Sequence, residues 1–458
     1  MKKIRHLHLP RLCLVVVLAV FLLSDLPGLV GWKLPYAQPA QRQAEDTVSG
    51  ISQAAPFAVE QEEESEPETS LDAVHTISRV RFSSYSNRGA ALCTPGEDSL
   101  KEDPALHSLY EKMKAAAYMV ANEKGENGYP MAAVRVQNEQ ISSGRIGLCL
   151  SLLANDCPEI FWLSRRYSYW YEGNDTVVQL YAYVSGNRCE CLLNQVKEVV
   201  DGVIESLPPG LTELQREQQI YQWLAAHCTY DKTVEQVSDN WRSYAAVGSL
   251  LGGKAVCEGY ARALQLLLSQ AGVTCRSVTG TAEGGGHMWN MVKLGDDWVH
   301  VDLTWDDSGD EGPLYRYFNL PDSILLQTHT LSPEYTQLST EELDENDGLL
   351  NAPVPACETD TYTYYRNFGI QVTTSGSEKD QVVEAMVQAM KSGSPTVALY
   401  IPEELDYDDM IEEIFRSAGN RFMDEVAQAN WQGANISYSD CVYYCLKEER
   451  GVCIVLRR

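Results

Sequence analysis

The stretch HMWNMVKLGDDWVHVDLTW, from His287 to Trp305, constrains the fold more than any other part of the chain. Two runs rich in β-branched and aromatic residues flank Gly295-Asp296, a favoured two-residue hairpin turn. That turn pairs Leu294 with Asp297 and sets Asp302 opposite Trp289. One face of the predicted hairpin then carries Met288, Val292, Leu294, Val299, Val301 and Leu303, all apolar. The other face collects His287, His300 and Asp302, with His287 and Asp302 as diagonal neighbours. A one-residue slip would mix the two sets, so the alternation itself supports the register.

Thirty residues upstream lies KAVCEGYARALQLLLSQAG, Lys254 to Gly272. Gly252 and Gly253 permit a tight turn, the spacing predicts a helix from Cys257, and Gly272 is a good residue to end it. Cys257, Ala261, Leu264 and Leu268 share one face. A cysteine at a helix N-terminus meets N–H groups that lack intrahelical partners. Those groups and the helix dipole favour the thiolate and could also stabilise an oxyanion. A thiol, an imidazole and a carboxylate supply a nucleophile, a base and a group that orients the base. Cys257, His287 and Asp302 are therefore the candidate catalytic residues. His300 shares their face, opposite Met291, and reads as structural.

The motifs VCEGYA, HMWNMV and WVHVDLTWDD resemble, in order and spacing, those of the transglutaminase-like superfamily. Tyr230-Asp231 upstream and the YFN segment Tyr317 to Asn319 resemble its bacterial exported members, and the likeness covers about 205–335. The resemblance implies an α+β fold with a papain-like transglutaminase core, in which the nucleophile helix packs on an antiparallel sheet. It implies Cys257 as nucleophile, His287 as base, Asp302 as orienting group, and thioester chemistry on an amide. It requires no cofactor and no metal. Three readings are compatible with it: hydrolysis of peptide or isopeptide amides, glutamine cross-linking to amines, and a catalytically silent binding module. Trp289 is expected to line the cleft beside His287, Trp241 and Tyr244 are candidate oxyanion donors, and Trp305 is expected on the core face. Gly284 to Gly286 should leave His287 approachable.

Net charge narrows the partners. With Lys+Arg 36 against Asp+Glu 64, the formal charge of −28 repels nucleic acid and anionic lipid. A protein or peptide substrate, cell-wall peptide included, fits better. MKKIRHLHLPR followed by LCLVVVLAVFLL reads as an export signal over 1–40, its apolar run short of the roughly 20 residues that span a bilayer. The expected location is secreted or cell-surface, with membrane attachment only through an uncleaved N-terminal segment. Residues 41–99 are acidic and short of aromatics, and are expected to be a disordered linker. Residues 100–207 are expected to be an N-terminal α+β domain, or an N-terminal half packed on the catalytic part, beginning with a helix near Leu106 to Ala121. The catalytic domain is expected over 208–340, a linker over 341–360, and a small C-terminal α/β unit over 361–458, where YTYYRNF and CVYYC read as strands. The 13 cysteines include no C-x-x-C pair and no zinc spacing, so buried free thiols are the expectation.

Overall fold

The computed structural model describes residues 78–83, 93–234, 240–307, 313–332, 354–374, 376–417, 421–437 and 441–456. The export-like segment, most of the acidic stretch and residues 341–353 of the expected linker lie outside them. The structure is α+β, and none of its described helices is long and apolar enough to cross a membrane.

The N-terminal part holds β1 (Arg79–Arg81), α1 (Pro95–Ser99), α2 (Pro104–Ala116) and β2 (Met119–Ala121). It continues with β3 (Tyr129–Pro130), β4 (Val134–Val136), α3 (Ser143–Asp156), β5 (Leu163–Glu172), β6 (Asp175–Ala182) and α4 (Gly186–Ser206). Two elements here depart from the sequence reading. β1 and α1 fall inside 41–99, the expected disordered stretch. The helix expected to reach Ala121 stops at Ala116, because Met119–Ala121 pairs antiparallel with β1. Strands of three residues are too short for alternation to reveal.

The middle part contains α5 (Glu213–His227), β7 (Thr229–Tyr230), β8 (Lys254–Ala255) and α6 (Cys257–Gln270). It then builds β9 (Thr274–Ala282), β10 (Gly285–Leu294), β11 (Asp297–Val301), α7 (Leu303–Asp306), α8 (Asp322–Leu325) and β12 (His329–Leu331). The sheet order is β11-β10-β9-β12, antiparallel throughout. Leu294 pairs with Asp297 and Met291 with His300, the register that the hairpin pattern requires. Val292, Leu294, Val299, Val301 and Leu303 join the main core, and Asn290 Nδ2 donates to the Ala261 carbonyl of α6 at 2.9 Å.

That core is continuous from Phe82 to Phe318, so 100–207 and 208–340 share one hydrophobic interior. Residues 100–207 thus pack on the middle part through one continuous core. The C-terminal part has its own core and a sheet ordered β13 (Ile370–Gln371), β14 (Thr396–Tyr400), β16 (Gly451–Val455), β15 (Val442–Leu446). CVYYC lies on β15 as expected. YTYYRNF does not form a strand: Tyr364–Phe368 is one short helix. Tyr364 lies flat on Tyr315 of the middle part, with 3.6 Å between ring centroids, and Tyr365 is wholly buried with its hydroxyl on the Leu314 carbonyl. Packing of these rings overrides the strand propensity of their residue types.

Candidate active site

Cys257 is fixed by the strand that precedes it. Tyr230 pairs with Ala255 in the parallel β7·β8 ladder, and the Asp231 N–H donates to the Ala255 carbonyl at 2.9 Å. The Val256 N–H donates to the Ser243 carbonyl at 2.9 Å, while the Ser243 hydroxyl donates to Asp231 at 2.7 Å. A side chain at Gly259 would collide with the Ser243 carbonyl and with Ala255, so only glycine lets α6 approach so closely. Cys257 is thus delivered, partly exposed, as the first residue of a 14-residue helix. Glu258 beside it is neutralised by Arg165 at 3.0 Å, so the positive end of the helix is not offset.

His287 lies three residues into β10, hydrogen-bonded to Cys257 and, through Nε2, to Asp302 Oδ2 at 2.6 Å. With Nε2 occupied, Nδ1 is the nitrogen that faces the thiol. Burial alone would pull the His287 pKa down. The Asp302 charge and hydrogen bond, with Cys257 beside the ring, more than reverse this and raise it to about 10. Asp302 ends the hairpin as the N-cap of α7, its Oδ1 accepting the N–H groups of Thr304 at 3.0 Å and Trp305 at 3.3 Å. Burial pushes its carboxyl up, but the His287 charge and the imidazole hydrogen bonds hold it well below the usual range. The structure therefore brings the three predicted residues into one chain: thiol, imidazole, carboxylate.

Two aromatic expectations are corrected. Trp289 does not line a cleft: it is 1 % exposed, and its indole N–H donates to His300 Nδ1 at 3.1 Å. It backs His287 from inside, ring centroids 5.9 Å apart and nearly parallel. His300 in turn places Nε2 2.8 Å from Asp322 Oδ1. Trp305 does not lie on the core face. The turn into α7 ends the alternation at Asp302 and carries Trp305 to the His287 side, 6.1 Å from that ring. Of the glycines before His287, Gly284 at φ +79 lies in the β9–β10 turn while Gly285 and Gly286 already pair with β9, and His287 is only 6 % exposed.

Of the two upstream aromatics, Trp241 and Tyr244, the second is near enough to Cys257 for the two groups to interact electrostatically. With Tyr183, Arg165 and Glu258 both aromatics line a small pocket at the start of α6. Trp241 stacks on Tyr183, centroids 5.3 Å apart, and the Arg165 guanidinium lies 5.3 Å over the Tyr244 ring. Burial first, and then the nearby Glu258 and Cys257, raise the Tyr244 pKa, so its hydroxyl keeps its proton as a donor.

One residue of the site is invisible to the sequence motifs. His329, on β12, places Nε2 3.0 Å from Asp302 Oδ2, the oxygen that His287 also uses. It belongs to none of the three motifs and stands 27 positions from Asp302, a separation that no helix or strand period connects. Among the described residues, His287, Asp302 and His329 form one set of donors within 4.8 Å of one another, and His300, Asp322 and Cys357 form a second. In both sets the imidazoles lie within hydrogen-bonding distance of the carboxylate.

Comparison with known proteins picks out the same part of the chain. The transglutaminase-like superfamily matches residues 201–303. The kyphoscoliosis peptidase of Homo sapiens is 31% identical over 115 residues, which are 22% of this chain and 17% of the relative. That of Mus musculus is 30% identical over 115 residues, with the same shares. The match therefore covers less than a fifth of the length of either relative. A solved structure of a TGase is 16% identical, covering 39% of this chain and 52% of its own, at a TM-score of 0.23 too low to weigh. The motifs, their register and the family match converge on the middle of the molecule, where residues 201–303 are similar to the transglutaminase-like superfamily.

Proposed function

We propose that the protein is an exported, cysteine-dependent acyl-transfer enzyme that hydrolyses peptide or isopeptide amides. The observation that carries this reading is the hydrogen-bonded run Cys257–His287–Asp302 at the N-terminus of a buried helix. In the proposed reaction the Cys257 proton moves to His287, and the sulfur attacks the amide carbonyl carbon. The C–N bond then breaks as His287 returns that proton to the departing amine, leaving a thioester on Cys257. Water, deprotonated by His287, attacks the thioester, and the thiol is regenerated with release of the acid. Asp302 holds the ring and balances the imidazolium; the Cys257 N–H and the Tyr244 hydroxyl face the oxyanion. The name of the human relative, a peptidase, favours hydrolysis over cross-linking. Export rests on the N-terminal sequence alone.

A mixture of peptides incubated with the protein, with and without a labelled primary amine, tests the reading. Peptide cleavage that disappears in Cys257→Ala is the expected result. Amine incorporation without cleavage would assign cross-linking instead, and neither product under any condition would leave a binding module.

A further inference from the structure

Asp302 carries more hydrogen bonds than a triad needs. Oδ1 accepts two backbone N–H groups, and Oδ2 lies 2.6 Å from His287 Nε2 and 3.0 Å from His329 Nε2. Two imidazoles on one carboxylate oxygen must share it. His329 is 2 % exposed and is brought there by backbone design. β12 pairs with the far end of β9, His329 against Ala282, and that approach needs Gly280, where any side chain would collide with the Thr330 carbonyl and the Trp289 ring. The other side of the ring is held by hydroxyls. Thr328 Oγ1 lies 2.8 Å from Nδ1, and Tyr317 is hydrogen-bonded to Thr328 in turn. The Thr328 hydroxyl also donates to the Leu325 carbonyl at 3.2 Å, so it is Asp302 that fixes the proton: an ionised carboxylate only accepts, and the Nε2 that faces it carries the hydrogen.

We propose that His329 is a positioning residue for the reaction: by donating Nε2–H to Asp302 Oδ2 it sets how strongly Asp302 holds the proton on His287. The proposal rests on the reading of Cys257, His287 and Asp302 as the reacting groups. Physically, an acceptor oxygen shared between two donors gives less to each. His329 therefore makes His287 a weaker holder of its proton, hence a readier acid toward the leaving amine. It also pins the carboxylate, so the ring cannot swing away from the thiol. The groups facing this pair are few. Cys257 comes from α6, Asp302 from the end of β11, and Tyr317 from the segment before α8, its ring 5.8 Å from His329. Two further ring neighbours of His329 among the described residues, Trp289 at 5.1 Å and Trp305 at 4.7 Å, carry no charge. Residue 329 lies outside 201–303, the segment that the superfamily matches.

The test is the rate of iodoacetamide alkylation at Cys257 against pH, read by mass spectrometry, in the full-length protein and its variants. Wild type should show a lower step, where the thiolate–imidazolium pair forms, and an upper step, where His287 loses its proton. His329→Phe keeps the ring and removes the donor; it should move the upper step up by about one pH unit, the scale of one hydrogen bond to a charged group. His329→Gln can place an N–H where Nε2 stood, and should return the step to within about 0.3 unit of wild type. A folded His329→Phe protein with both steps unmoved overturns the proposal. If that variant does not fold, 15N-histidine spectra of the wild type decide. The His329 Nε2–H signal should shift as His287 titrates, and one that stays fixed overturns it equally. His287→Ala should abolish the lower step. If it does not, the triad reading itself has failed, an outcome distinct from failure at His329 alone.

Discussion

Two buried histidines on the same hairpin face each hold an aspartate through Nε2, and only one of them is placed for chemistry. His287 lies 2.6 Å from Asp302 and His300 lies 2.8 Å from Asp322, so by distance the pairs are alike. Their other nitrogens differ. His287 Nδ1 faces the Cys257 thiol, whereas His300 Nδ1 is consumed by the Trp289 indole N–H. The carboxylates differ too. Asp302 is sealed, its side chain 1 % exposed, while the Asp322 side chain is 35 % exposed and ties down the Cys357 N–H at 3.1 Å. A histidine–aspartate pair is thus not a signature of catalysis. What the third partner does decides between a proton relay and a brace.

The largest test of that contrast replaces the third partner. Cys257→Ala should lower amide cleavage by about 10⁴-fold or more, with the melting temperature little changed, because the residue is partly exposed and small. Turnover that survives the substitution would remove Cys257 from the chemistry and dissolve the distinction between the pairs. Next in size is Asp302→Asn. Asp302 accepts through both oxygens and an amide has only one, so its NH₂ must face either the two imidazoles or the Thr304 and Trp305 N–H groups, and kcat should fall by about 10²- to 10⁴-fold with KM nearly constant. A matching loss in KM alone would make Asp302 a substrate-binding residue.

The brace should behave in the opposite way. His300→Phe leaves the Trp289 N–H and one Asp322 oxygen without their partner. It should cost about 1–3 kcal/mol in a urea titration while kcat stays within roughly tenfold of wild type. A kcat loss as deep as that of Asp302→Asn, in a protein of unchanged stability, would show that His300 acts through Trp289 on the reacting ring.

Legibility in the sequence depends on whether a rule of short range applies. The hairpin register, the helix start at Cys257 and the gathering of three reactive groups rest on a two-residue turn, a period of two and a period of 3.6, all local. Asp302 and His287 are diagonal neighbours across one turn, so the sequence can place them. His329 reaches the same oxygen through β12, whose position depends on pairing with β9 some 47–51 residues back in the chain. No periodicity links such segments. Trp305 is misplaced by the pattern for a related reason: alternation carried past Asp302 ignores that this side chain caps a helix and ends the strand. The face of Trp289 can be read from the hairpin, but its burial depends on Leu320, Leu325 and Cys357 arriving from beyond it.

The smallest effect, and the one that isolates electrostatics, is the pH dependence of stability. His287 has a folded pKa of about 10 against an ordinary value near 6.5, so the folded state binds its proton more tightly than the unfolded chain. Its contribution is complete below pH 6.5 and is lost as pH rises through about 10. Asp302 has the reverse sign: its folded pKa is depressed, so its contribution is present above the ordinary carboxylate range and fades as pH falls. The gap in unfolding midpoint between wild type and His287→Ala should therefore be widest from about pH 5 to 6.5 and shrink toward pH 10, measured by urea titration across that span. The same measurement on His300→Phe serves as the comparison.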